Sequence, residues 1–296
     1  MTYQASHIKR KRRSRAEIDQ LEEQICTVLM EDHPQSIRHV YYRMTDPRLP
    51  VPIDKTDAGY NQVQNRLTLM RRKGMIPYGW ISDTTRRGYH VPTYKNASDF
   101  VRSMAQHYRA DMWESSDPYV EVWAESRSIA SVIQDDCEEL AVSLYPTGGF
   151  SSISLAYDGA RTINAFTDRG RKRALIIYIG DYDPAGVLID TALEREIRKH
   201  IDPEIDLLFH RIGITPEQIE RYDLPVKERK AKDRRSLHVK ATVEAEAMPA
   251  GIMRGIVRDA IESFLPERMQ TVARAAEKSE RGFLLYWADI MAGEVA

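Results

Sequence analysis

The stretch LIIYIGDYDPAG, Leu175 to Gly186, runs apolar and then sets two aspartates, Asp181 and Asp183, one residue apart. Side chains two residues apart in extended backbone face the same side. A carboxylate pair at the tip of a buried strand is a place to hold a hard cation. Mg2+ suits such oxygen ligands; it keeps waters and accepts substrate phosphate oxygens as further ligands. A lone Asp-x-Asp is more often a solvated turn, so a third carboxylate matters. YVEVWAE, Tyr119 to Glu125, is a second strand-like run, and it ends on Glu125. Glu125, Asp181 and Asp183 are therefore the expected metal ligands, with mid-strand Glu121 the second choice for the third position.

A second group of interest is RHVYY, Arg38 to Tyr42. Ile37, Val40, Tyr41 and Met44 recur at helical spacing and predict the buried stripe. Tyr42 falls off that stripe, four residues after Arg38, so the two are expected to project together from one exposed face. A phenol with a pKa near 10 is a poor nucleophile unless its anion is stabilised. A guanidinium one turn away supplies that stabilisation and can grip a phosphate bidentately. From these residues alone, a packed or stacked tyrosine is the commoner outcome.

The elements that must position these groups fall into two parts. The 296 residues carry 42% hydrophobic and 29% charged side chains, ordinary for a globular chain with a sizeable core. Net charge is -1, but residues 1–90 hold 16 Lys+Arg against 10 Asp+Glu. That asymmetry suggests an electrostatic footprint for nucleic acid in the first part. Cys26 and Cys137 lack metal spacing and read as reduced thiols, and no apolar run approaches a membrane span, so a cytoplasmic, nucleoid-associated protein is expected.

Residues 1–95 read as a basic arm, three helices and a strand-turn-strand. The helices are AEIDQLEEQICTVLM, QSIRHVYYRM with Ser36 as N-cap, and AGYNQVQNRLTLMRRKG ending at Gly74. MIPYGWISDTTRRGYHVP alternates like a hairpin. This is the order of a winged helix-turn-helix, whose third helix enters a major groove. Arg66, Arg71, Arg72, Lys73, Arg86 and Arg87 are then the expected contacts to double-stranded DNA; a helical cap without DNA is the alternative.

Residues 96–296 read as a linker helix, then alternating strands and helices, then C-terminal helices. The alternation predicts an α/β domain with a mainly parallel sheet, whose functional groups lie at the carboxyl ends of its strands. The basic loop VKERKAKDRRS is equally a backbone contact or a solvated charge run.

EVWAES, GGFSS and IGDYDPAG resemble the blocks of a Toprim domain, and RHVYY resembles the Arg-x-x-x-Tyr element of topoisomerase VI A subunits and the meiotic double-strand-break protein. RIGITPEQIERYDLP and VEAEAMP also resemble that family, so the likeness spans about Ser36 to Phe264. It implies Tyr42 as nucleophile with Arg38 as its partner, Mg2+ on Glu125, Asp181 and Asp183, and a homodimer with each active site shared between subunits. The chain is shorter than a typical A subunit and resembles the compact stand-alone relatives, which leaves a B-type ATPase partner open. The expected activity is cleavage and rejoining of DNA through a 5′-phosphotyrosyl link. A Toprim nuclease using water, with Tyr42 incidental, and a non-catalytic DNA-binding module are the alternatives.

Overall fold

The computed structural model describes residues 13–82, 91–148, 153–167, 172–184, 186–228 and 241–293. These fall into two compact units divided after Ser82, with Pro249–Gly251 belonging to the first.

The first unit holds three helices, α1 (Arg15–Glu31), α2 (Ile37–Met44) and α3 (Asp57–Arg72). Each starts where the sequence offers a cap: the Ser14, Ser36 and Thr56 side chains accept from the backbone N–H of Glu17, His39 and Gly59. Leu21, Ile25, Val28, Leu29, Val63, Leu67 and Met70 are buried, as their spacing predicts. α3 ends before Gly74, which takes a positive φ of 70°. The predicted hairpin is corrected where it is described. Tyr78–Trp80 is a 3-10 turn, and Ile81 makes one bridge to Gln35 in place of a strand. Residues 83–90, which carry Arg86 and Arg87, lie outside the described residues.

The second unit opens with α4 (Ala97–Ala105), capped by Asn96. A four-stranded sheet follows, in the order β2-β1-β3-β4 from β1 (Pro118–Ala124), β2 (Ser143–Pro146), β3 (Arg173–Ile179) and β4 (Asp206–Gly213). Every pairing is parallel. Central strands covered on both faces are mostly apolar, and β1 is buried along its whole length, its one acidic residue Glu121 included. The connecting helices are α5 (Arg127–Glu139), α6 (Ile153–Thr167) and α7 (Gly186–Arg198). Ala156, Ala160, Ile163, Ile189 and Leu193 of α6 and α7 pack on the face bearing Tyr119, Trp123, Ile176 and Tyr178.

α5 ends at Glu139, although helical spacing of apolar residues continues beyond it. Leu140 caps the helix, Ala141 takes a positive φ of 54°, and the chain turns into edge strand β2. After α8 (Pro216–Arg221), a two-stranded ribbon forms from β5 (Lys227–Glu228) and β6 (Ala241–Thr242). α9 (Ala250–Glu262) and α10 (Met269–Ala292) complete the chain, and α10 packs along α4, where the Ser98 hydroxyl donates to the Ala288 carbonyl at 2.7 Å. Among the described residues no helix is long and apolar enough to cross a membrane.

Candidate metal centre

Glu125 follows β1 directly and Asp181 lies two residues beyond β3, and these strands are hydrogen-bonded neighbours in the sheet. The strand ends therefore place both carboxylates in one crevice. The Asp181 backbone N–H donates to Glu125 Oε2 at 2.8 Å, and the Gly186 N–H donates to Asp183 Oδ1 at 2.5 Å. Two glycines make this approach feasible. A Cβ on Gly180 would lie 2.4 Å from Glu125 Oε2, and one on Gly186 would lie 2.4 Å from the Asp181 carbonyl oxygen.

A further segment reaches the same crevice. Tyr182, between the two aspartates, exchanges both backbone hydrogen bonds with Val243, each at 2.9 Å. The Ala245 N–H then donates to Asp181 Oδ1 at 2.8 Å. This docking delivers Glu244 and the buried Glu246, to which the Ser126 hydroxyl donates at 3.2 Å. Neither glutamate is predicted from the sequence. Ala245–Ala247 forms a 3-10 turn, so no strand-like pattern in VEAEAMP announces that its acids reach the crevice.

The electrostatics of this crevice are unfavourable to negative charge. Burial holds Asp181 well above the usual carboxylate range, with Glu246, Glu125 and Glu244 adding repulsion. Burial likewise raises Glu125, assisted by Asp183 and Glu246 and opposed by the Asp181 backbone N–H and Arg211. Carboxylates forced together out of water are relieved by a proton or a cation. Among the described residues, no three acidic, His or Cys side chains already stand at ligand spacing, since several are turned onto backbone amides. The donor chemistry, all hard oxygen with an open strand-end position, nevertheless fits Mg2+. Glu125, Asp181 and Asp183 would hold it, with Glu246 within electrostatic reach.

Glu121 does not belong to this group. Its carboxylate is fully buried in the sheet interior and accepts from Tyr119 Oη at 3.0 Å and Trp123 Nε1 at 2.8 Å. Burial pushes its pKa up to about 7.

In the first unit, the expectation that Tyr42 is exposed is overturned: Tyr42 is 5% exposed and Tyr41 6%. The chain that follows α2 folds back against its C-terminal end. The Ile53 N–H donates to the Met44 carbonyl at 2.8 Å, and the Lys55 ammonium lies 5.6 Å from the Tyr42 ring centre. The rings of Tyr41 and Tyr42 meet at 5.2 Å, and Tyr41 Oη donates to the Thr56 carbonyl at 3.3 Å. Arg38 is exposed, with its guanidinium carbon 5.9 Å from the Tyr60 ring centre.

The basic set is also uneven. Arg66 Nη1 pairs with buried Glu22 at 2.9 Å, with only 21% of the arginine side chain exposed. It is a tie between α3 and α1, which leaves less of its guanidinium available to DNA than an exposed arginine would offer. Arg71 stacks on Tyr78 at 4.6 Å. Arg72 and Lys73 are exposed at the end of α3.

No family model matches the chain, and no curated protein and no solved structure matches it either.

Proposed function

We propose that this protein is a Mg2+-dependent enzyme that cuts and rejoins double-stranded DNA. In this reading the first unit is a winged-helix domain and the second a Toprim-like domain. The observation that carries the reading is the pair of carboxylates ending adjacent parallel strands, supplemented by a docked segment bearing two more. Such a cluster is costly to maintain without a cation to neutralise it.

Tyr42 is the proposed nucleophile. Its oxygen forms the new bond to the 5′-phosphorus and its proton passes to solvent or a base; the 3′-oxygen leaves as a hydroxyl once protonated. The phosphoester is conserved, so resealing needs no nucleotide. Arg38, exposed on the same helix, would grip the non-bridging phosphate oxygens. Bound Mg2+ would supply charge neutralisation at the phosphate. Because Tyr42 is buried, with the Lys55 ammonium over its ring, the tyrosine mechanism requires that engagement with DNA expose its hydroxyl. A homodimer, with tyrosine and carboxylates contributed by different subunits, is part of the proposal; a B-type ATPase partner is left open.

Burial of Tyr42 favours one second reading, a Toprim nuclease in which water attacks. Incubation with supercoiled plasmid and Mg2+, then denaturation with and without protease, separates the two. Linear DNA released into the gel only after proteolysis, and absent with Tyr42→Phe, supports the tyrosine mechanism. Protein-free cleavage that persists in Tyr42→Phe supports the nuclease. No Mg2+-dependent cleavage leaves a DNA-binding module.

A further inference from the structure

Arg211, near the end of β4, points all five of its N–H donors at oxygen atoms around the loop that carries Asp181 and Asp183. Nη2 donates to the Gly180 carbonyl at 3.1 Å and to the Asp181 carbonyl. Nη1 donates to Asp190 Oδ2 at 2.6 Å and to the Gly186 carbonyl at 3.4 Å. Nε reaches the Ile214 carbonyl at 3.5 Å, the weakest of the five. A guanidinium offers five N–H groups in a fixed planar fork, so this one has none left over for a ligand. The side chains of Arg211 and Asp190 are only 18% and 14% exposed, and the Arg211 guanidinium carbon stands 5.5 Å from the Tyr178 ring centre.

The carbonyls it grips are informative. Gly180 and Asp181 enter the loop and Gly186 leaves it, so one planar group ties both ends together with Asp183 between them. Asp190, one turn into α7, fixes the guanidinium from the far side. We propose that Arg211 is a positioning residue that sets the divalent-cation affinity of the strand-end carboxylates by ordering the 180–186 loop, without touching the ion. The proposal rests on the metal reading given above. Two effects oppose each other when Arg211 is removed. Losing a positive charge favours a cation, whereas losing the tie lets the two aspartates wander; ordering is the larger effect. Lysine cannot replace it, because one ammonium cannot span carbonyls at both ends of the loop.

The test uses Mn2+ binding by the full chain, followed by electron paramagnetic resonance, with amide hydrogen exchange across 180–186. The charge-neutral double variant Asp190→Asn with Arg211→Met isolates ordering from electrostatics. Its Mn2+ affinity should fall by at least about tenfold, the effect typical of outer-shell partners, and exchange in the loop should accelerate. Arg211→Lys should also weaken Mn2+ and decides the matter where the double variant fails to fold. Wild-type Mn2+ affinity in either folded variant overturns the proposal. Weakened affinity without faster exchange in the loop overturns it as well. A wild-type chain that binds no Mn2+ removes the metal reading itself, which is a different result from an Arg211 variant that binds normally.

Discussion

At the scale of single residues, Asp181 is the most informative group. Its pKa is raised by burial and by Glu246, Glu125 and Glu244, so the folded protein binds its proton more tightly than the unfolded chain. The contribution to stability is complete below the ordinary carboxylate pKa and is lost as pH rises through the raised value. Asp181→Asn, which keeps an acceptor for the Ala245 N–H, should therefore raise the metal-free Tm at neutral pH while abolishing DNA cleavage. An unchanged Tm across the pH range counts against the crowding described. Glu121 carries the same sign with a defined window: stability should fall between about pH 4.5 and 7, and that fall should vanish in Glu121→Gln. The tyrosines separate by chemistry more than by exposure. Tyr41→Ala and Tyr42→Ala should each cost about 3 kcal/mol, since both rings are buried. Tyr42→Phe should cost about 1 kcal/mol yet remove any covalent adduct, and an adduct that maps to Tyr41 would assign the nucleophile to the other ring. That Glu125 and Asp181 stand at the ends of neighbouring strands was legible, because each lies within two residues of the end of an apolar run. Glu246 was not, since it reaches the site through pairing between Tyr182 and Val243, a contact 61 residues apart in sequence that no local pattern encodes.

At the scale of elements, periodicity located what buries a face by itself. α1, α3, β1, β3, α6 and α7 stand where their apolar spacing places them. β2 and β4 were missed. β2 is a four-residue edge strand following a helix whose pattern continues into it, and only its pairing with β1 defines it. In β4, burial is broken by exposed Asp206 and half-buried Phe209 and Arg211, so no continuous apolar run announces a strand. α2 shows the opposite limit. Its stripe identified Val40, Tyr41 and Met44 but could not foresee that Tyr42, off the stripe, is buried as well. On α3, a basic run conceals two kinds of residue. Arg66→Ala leaves Glu22 buried without its partner and should cost about 3 kcal/mol, read as a lower denaturant midpoint, with the salt slope of DNA binding kept. Charge reversal at Arg72 and Lys73 should do the reverse, flattening the salt dependence because fewer counterions are released. Equal effects of the two changes on the salt slope would contradict this division.

At the scale of the whole molecule, the account depends on a cation acting as the missing partner of a carboxylate crevice. A ligand that binds only the folded state raises stability with its concentration. Mg2+ should therefore raise Tm, and by more at higher pH, where Asp181 and Glu125 have lost their protons. The basic bias of residues 1–90 and the acidic bias of the remainder agree with the proposal that DNA contact and metal binding belong to different parts of one chain. The most direct test of the central claim is to bind Fe2+ in place of Mg2+, generate hydroxyl radicals with ascorbate and peroxide, and map where the backbone is cut. The predicted result is cleavage near Glu125, at Asp181–Asp183 and at Ala245–Glu246, suppressed by excess Mg2+. Cuts confined to other segments, or cuts at these positions that Mg2+ does not suppress, would contradict it.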